Sequence, residues 1–344
     1  MSRIAVVSFR LGGTDGVSIE ADKWVGALRE LGHHVSTVAG TGVADRLIPG
    51  LAADAAIAPT RSELSDALES FDLVIVENLA SLPLNVAARD VLYEVLGGRA
   101  ALFHHHDLPW QRAHLAHVPG PRDEPRWRHV TINELSRREL RERGIEATLL
   151  YNSFDCSPAP GRRELTRRTV RVNDETFVAL PTRAIARKNV AGALALCEQL
   201  DATLWIMGPA EDGFDHELER LLDTSDVQVR RLLPAGITMA DAYAGADLVV
   251  MPSTWEGFGN PVIESVTHRR ALALNHYPVA HEILSFGFEF FELTDVVGLR
   301  RFLAHPDERM LDANLEIARR HFNLADLAGR LGPVIDEALS LNHG

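Results

Sequence analysis

The chain is predicted to be an α/β protein made of two Rossmann-like, doubly wound parallel-sheet domains facing a cleft. Three observations predict it. Short apolar segments alternate with amphipathic helical ones through two successive stretches. The rhythm breaks between Asn152 and about Arg171, where prolines and arginines replace the apolar periodicity. A length of 344 residues exceeds what one core ordinarily serves and suits two domains.

The elements follow in order. Arg3-Ile-Ala-Val-Val-Ser-Phe9 reads as a buried strand. A helix follows, with Val17, Ala21, Trp24, Val25, Leu28 and Leu31 at helical spacing and Gly32 as its stop. Further strands are predicted at 34–39, 73–76, 100–104, 128–132 and 147–151, with a helix over 136–143 closed by Gly144. Cys156-Ser-Pro-Ala-Pro-Gly161 and the arginines after it read as a linker, which puts the first domain at 1–155 and the second at 156–323. Strands then recur at 177–181, 202–207, 227–232, 247–251 and 271–274. A final amphipathic helix, about 324–344, is expected to pack back on the first domain.

Composition narrows the function. The formal net charge of −13 argues against a nucleic-acid surface, which needs clustered Lys and Arg. No apolar run approaches the ~18 residues that span a bilayer, and the start of the chain lacks signal-peptide anatomy. A cytoplasmic location is expected. Cys156 and Cys197, the only cysteines, read as reduced thiols without metal spacing. Lys23 and Lys188 are the only lysines among 35 basic residues, so each is a candidate for a specific task. Arg122, Arg126 and Arg128 are interrupted by acids and read as a solvated loop, so no membrane docking is expected. Arg137, Arg138, Arg141 and Arg143 alternate with Glu139 and Glu142 as an exposed helix face.

The strongest chemical signal is Asp247-Leu-Val-Val-Met-Pro-Ser-Thr-Trp-Glu-Gly-Phe-Gly-Asn-Pro-Val-Ile-Glu264. A strand ends at Met251, a loop carries Glu256, Gly257 and Gly259, and a helix opens with Asn260 read as N-cap and Pro261 as first helical residue. Glycines at a helix start expose backbone N–H groups to which a phosphate can come close. Carboxylates do not hold phosphate, but they accept hydrogen bonds from hydroxyls, and Glu256 and Glu264 can face one ligand from different depths. The second signal, Leu180-Pro-Thr-Arg-Ala-Ile-Ala-Arg-Lys-Asn189, places Arg183 and Lys188 five residues apart after a strand. Arg187 reads either as a third cation or as a solvated surface charge. The third is Arg10-Leu-Gly-Gly-Thr-Asp-Gly-Val17, a glycine-rich loop that does not fit G-x-G-x-x-G. The fourth is Ala101-Leu-Phe-His-His-His-Asp-Leu-Pro-Trp-Gln-Arg112. Side chains alternate along a strand, so His104 and His106 share one face and His105 takes the other. A metal held by His104, His106 and Asp107, with His114 as a further candidate ligand, is one reading of this cluster, and plain packing is another.

Glu256 and Glu264, with seven residues between them and Gly-Phe-Gly-Asn-Pro filling the gap, resemble the E-x7-E motif of family-4 retaining glycosyltransferases, enzymes of the GT-B fold. The resemblance implies that Glu256 contacts hydroxyls of the transferred sugar and Glu264 the nucleotide ribose. Gly257 and the backbone amides of Phe258, Gly259 and Asn260 would meet the diphosphate or sugar. Arg183 and Lys188 would neutralise the leaving diphosphate, and His106 would contact the sugar. Gly13 would touch donor phosphate, Gly208 would form the turn after the second strand of the nucleotide domain, and Leu232 would lie near the base. Thr14, Asp15, Asp107 and Arg112 would meet the acceptor.

The function so implied is retaining transfer of a hexose from a nucleotide-diphosphate sugar, UDP favoured and GDP-mannose next, to a small soluble acceptor. No cofactor and no metal are required on this reading. The rivals are a catalytically silent sugar-nucleotide-binding protein and a GT-B epimerase or phosphorylase. Two departures from the family pattern are Asn275-His-Tyr-Pro278, in place of a glycine-rich turn, and Thr267-His-Arg-Arg270, in place of small residues.

Overall fold

The computed structural model describes residues 1–82 and 84–343, and the chain divides into two compact units: residues 1–153 with the segment from Leu324 onward, and Phe154–Asn323. In unit 1, β1 (Arg3–Leu11), β2 (His34–Gly42), β3 (Arg46–Leu47), β4 (Leu73–Glu77), β5 (Ala101–His105), β6 (Trp127–Thr131) and β7 (Thr148–Leu149) form one parallel sheet. Its order is β3-β2-β1-β4-β5-β6-β7, with Ile4 opposite Val35 on one side and Leu73 on the other. Helices α1 (Gly16–Glu30), α2 (Arg61–Leu68), α3 (Val86–Leu96) and α4 (Glu134–Arg141) supply the crossovers. The alternation in sequence becomes this sheet because each apolar strand is covered on both faces, and β4 and β5 are buried at every position.

Asp15 starts α1 by accepting from the Ser18 backbone N–H at 3.1 Å, and Gly32, at φ 85°, carries the chain away from its end. The first strand runs two residues further than its apolar pattern indicates. Arg10 and Leu11 pair with Thr41 and Gly42, so the glycine loop begins only at Gly12.

Unit 2 repeats the plan. Its strands β8 (Phe177–Leu180), β9 (Thr203–Ile206), β10 (Val229–Arg231), β11 (Leu248–Met251), β12 (Ala271–Leu274) and β13 (Phe291–Glu292) order as β10-β9-β8-β11-β12-β13, again all parallel. Its helices are α5 (Arg163–Thr169), α6 (Val190–Leu200), α7 (Asp215–Asp223), α8 (Met239–Gly245), α9 (Asn260–Thr267), α10 (Pro278–Leu284), α11 (Val296–Ala304) and α12 (Glu308–His321). The last helix, α13 (Leu327–Ser340), returns to unit 1 and packs on α1. Gly344, the end of the predicted C-terminal helix, lies outside the described residues.

Two expectations are corrected. The arginine-rich part of the supposed linker is the helix α5. Arg162 and Arg163 pair with Asp241 and Asp247 at 2.6 and 2.5 Å, and the buried Arg167 adds a second contact to Asp247 at 3.2 Å, so ion pairs tie this helix to the rest of the unit. The start of α9 is also shifted: Gly259, at φ 89°, is the N-cap, and Asn260 is already helical. A left-handed entry favours the residue without a Cβ over the residue with a capping side chain.

Candidate active site

In both sheets the strand order reverses beside the first strand, at β1/β4 in unit 1 and at β8/β11 in unit 2. Ligands of open parallel sheets bind beyond the carboxyl ends of the strands at such switch points. The predicted residues gather there. In unit 2, the loop after β8 brings Lys188, and the loop after β11 brings Glu256. Both are buried, and Lys188 Nζ donates to Glu256 Oε1 at 2.5 Å. Arg187 donates from Nη1 to Glu256 Oε2 at 2.7 Å and to the Trp255 carbonyl at 3.0 Å. Burial lowers the Lys188 pKa, an effect that Glu256 opposes. Burial would raise that of Glu256, but Lys188 and then Arg187 outweigh it and hold the carboxyl below its ordinary range.

Burying these charges is costly unless every polar atom is matched. Here several are not. Thr182 Oγ1, Arg187 Nε, Trp255 Nε1 and Tyr277 Oη are buried without a hydrogen-bond partner, and all four follow the carboxyl ends of β8, β11 or β12. Orphaned donors beside a charged cluster are suited to an acceptor-rich ligand.

Arg183 stands apart from that cluster. Its side chain is 37% exposed and pairs with Glu211 at 2.5 Å, while its charge is still felt at Lys188. Gly208 is required beside it, because a Cβ there would come within 2.6 Å of the Arg183 Cα. Leu232 is exposed, at φ 62°, and its carbonyl accepts from Trp205 Nε1 at 3.0 Å. Phe258 is buried with its ring near Phe154 and Phe322, so its side chain belongs to the packing of unit 2. A Cβ on Gly259 would meet Tyr277 Oη at 2.6 Å. Gly257 and Asn260 flank this turn. Glu264, half-buried one turn into α9, accepts from Tyr243 Oη at 2.7 Å.

In unit 1, Glu77 ends β4 between two histidines. Its Oε2 lies 2.9 Å from His104 Nδ1 and 3.0 Å from His106 Nε2, and all three residues are buried. Trp24 stacks on His104 with ring centroids 4.0 Å apart. His105 points to the opposite face and meets His129 at 2.9 Å, as strand alternation predicts. Asn78, at φ 57°, accepts from the backbone N–H groups of His106 and Asp107 at 3.0 and 3.2 Å. Asp107 pairs with Arg112 at 3.0 Å. Asp15 spends both oxygens on Ser18 and Arg10, which makes it a cap, while Thr14 is exposed next to it. A Cβ on Gly13 would come within 2.9 Å of Asp15 Oδ2.

Among the described residues, Glu77, His104 and His106 are the group whose ligand atoms lie close enough to hold a metal ion. The alternative metal set read from the sequence named Asp107 and His114 instead of Glu77, and Asp107 is engaged by Arg112. A carboxylate accepting from two histidine rings can account for the cluster without an ion. A cavity of about 710 Å3 lined by Arg163, His268, Arg269 and Arg270 lies at the amino ends of β8, β11 and β12, away from these residues.

Sequence reasoning left Arg187 undecided and missed Glu77, Asn78, Tyr243 and Tyr277. One signal was present for Glu77, a lone acid closing an otherwise apolar strand.

The geometry defines a protein of two units, each built on an open parallel sheet, and comparison with known proteins gives the class. Residues 185–287 match the model of the family Glycosyl transferases group 1. The Anabaena protein HepE, in complex with UDP-glucose, superposes with a TM-score of 0.75 at 14% identity, covering 98% of this chain and 100% of that one. The chain is a glycosyltransferase with the GT-B fold, as the resemblance to family 4 implied. It is similar to the mannosylglucosylglycerate synthase of Thermotoga maritima, at 25% identity over 94% of this chain and 97% of the relative. It is also similar to the enzyme of that name from Petrotoga mobilis, at 24% identity over 84% and 86%. No helix among the described residues is long and apolar enough to cross a membrane.

Proposed function

We propose that the chain is a retaining hexosyltransferase that takes its sugar from a nucleotide diphosphate, UDP before GDP, and transfers it to a hydroxyl of a small polar acceptor without a bound metal. The observation that carries this reading is the buried Arg187–Glu256–Lys188 cluster at the switch point of unit 2, ringed by orphaned donors. When the glycosidic bond breaks, negative charge grows on the leaving diphosphate, and fixed cations stabilise it as it forms. Lys188 and Arg183 take that role. Glu256 accepts from sugar hydroxyls, Glu264 from the ribose, and His106 contacts the sugar. Asp107, Arg112 and Thr14 serve the acceptor. Asp15 keeps their loop in place as the cap of α1. A retaining transfer of this kind needs no protein nucleophile, because the diphosphate oxygen takes the acceptor proton.

The UDP-glucose bound to HepE supports UDP as the first base to test. The name of the curated relatives supports mannosyl donors and glucosylglycerate-like acceptors as the first pairs to assay.

The test is thermal stability with UDP, GDP and ADP, on wild type and Lys188→Ala. A ligand at a hundred times its Kd adds about 2.7 kcal/mol, and about 2–4 °C per kcal/mol is expected for a chain of this size. One nucleotide should raise the wild-type melting temperature by several degrees and leave the variant unmoved. No shift with any nucleotide would overturn the donor assignment. The anomeric configuration of the product, read by NMR, decides retention.

A further inference from the structure

We propose that Tyr243 is a positioning residue that aims the Glu264 carboxylate, holding one oxygen so that the other is presented to a ribose hydroxyl of the donor. This rests on the assignment of Glu264 to the ribose. Tyr243 is fully buried in α8, and its Oη donates to Glu264 Oε2 at 2.7 Å. Its ring stacks on His268 at 4.7 Å and 19°. His268 Nδ1 lies 2.8 Å from the backbone carbonyl of Glu264, and Thr267 Oγ1 donates to the same carbonyl at 3.0 Å. Glu264 is thus gripped at both ends, its carboxylate by a phenol from another helix and its backbone by the residues that back that phenol.

A glutamate has three side-chain torsions, and ordering them on binding subtracts from affinity. The phenol fixes them beforehand. It is also a neutral donor, so it leaves the carboxylate its charge and leaves Oε1, which has no protein partner among the described residues, as a strong acceptor. Burial first, and the charge of Glu264 second, keep the phenol protonated well above its ordinary range, so it remains a donor at any working pH.

The experiment is calorimetric binding of UDP, 2′-deoxy-UDP and 3′-deoxy-UDP, or the GDP series if guanine is the base, to wild type, Tyr243→Phe, Glu264→Gln and the double variant. Wild type should prefer the ribose form over one deoxy form by about tenfold, the usual worth of one charge-assisted hydrogen bond. Tyr243→Phe should bind the ribose form several-fold more weakly and the deoxy form almost unchanged, so that the ratio falls toward one. In the double variant it should fall no further than in Glu264→Gln. A Phe variant that keeps the wild-type ratio, or weakens all three ligands equally, overturns the proposal while the ribose assignment stands. A wild-type ratio near one, or one that Glu264→Gln does not change, removes the ribose assignment itself. If the Phe variant melts early, His268→Ala leaves both the phenol and Glu264 and withdraws the ring behind them. It should lower the ratio part-way, and an unchanged ratio there overturns the proposal.

Discussion

Glu77 illustrates how one buried charge can organise a site. Burial alone would raise its pKa, yet the charge and hydrogen bonds of His104 and His106 pull the carboxyl down to about 2. Burial meanwhile lowers the pKa of His104, partly offset by Glu77. At neutral pH the group is therefore a charged carboxylate accepting from two rings. His106 turns Nε2 to this carboxylate, which leaves Nδ1 as the ring's other polar atom. The sign of the pH dependence follows. A carboxyl depressed in the folded state stabilises it fully above the ordinary value of 4.5, and that stability is lost as pH falls from there through about 2. Glu77→Gln should melt below wild type at pH 7, and the gap, on the order of a few kcal/mol, should narrow steadily as pH drops from 5 toward 2. Melting curves across that range check it, and a gap that stays constant would mean the carboxylate charge contributes nothing.

At the scale of elements, the loop between β11 and α9 depends on one backbone conformation. Gly259 is left-handed, and a side chain there would also press on Tyr277 Oη. Gly259→Ala should cost about 1–2 kcal/mol of stability from the backbone alone and abolish most of the nucleotide-induced rise in melting temperature, because the amides around it would move. A variant that keeps the full rise would show that the turn does not hold the diphosphate. This loop was legible in sequence because glycines, a proline and two glutamates fall at fixed local spacing within a single strand–turn–helix. Residues whose partners are distant in sequence were not. Tyr243 lies 21 residues before Glu264, and Glu77 lies 27 before His104. Only the packing of separate helices and strands brings these pairs together. Arg187 failed for another reason: beside Lys188 in sequence it resembled a solvated charge, and what distinguishes it is the 3₁₀ turn Ala186–Lys188 that directs both residues at Glu256. The helix α5 was hidden because seven residues with three arginines carry almost no apolar period, and its stability comes from Asp241 and Asp247 elsewhere in the unit.

At the scale of the whole molecule, the chain leaves unit 1 at Ser153, builds unit 2, and comes back at Leu324 to finish unit 1. That return is part of the core. Leu327, Leu331, Val334 and Ile335 of α13 share one apolar cluster with Trp24, Val25 and Leu28 of α1 and with Ile4, Val6 and Ile75 of the sheet. Each buried aliphatic side chain contributes about 1.5–3 kcal/mol, so the four together approach the about 5–15 kcal/mol that stabilises a typical domain. Unit 2 has its own clusters, built from residues between Val170 and Leu311. Ending the chain after Asn323 should therefore abolish the cooperative unfolding of unit 1 while unit 2 still folds and still gains stability from the nucleotide. Calorimetry with and without UDP, read beside the exchange protection of amides in β4 and β11, separates the two units. Loss of protection in β11 as well as in β4 would mean that unit 2 depends on unit 1 for its fold. Retained protection in β4 would mean that α13 is an accessory, with the sheet and α1 sufficient for the core of unit 1.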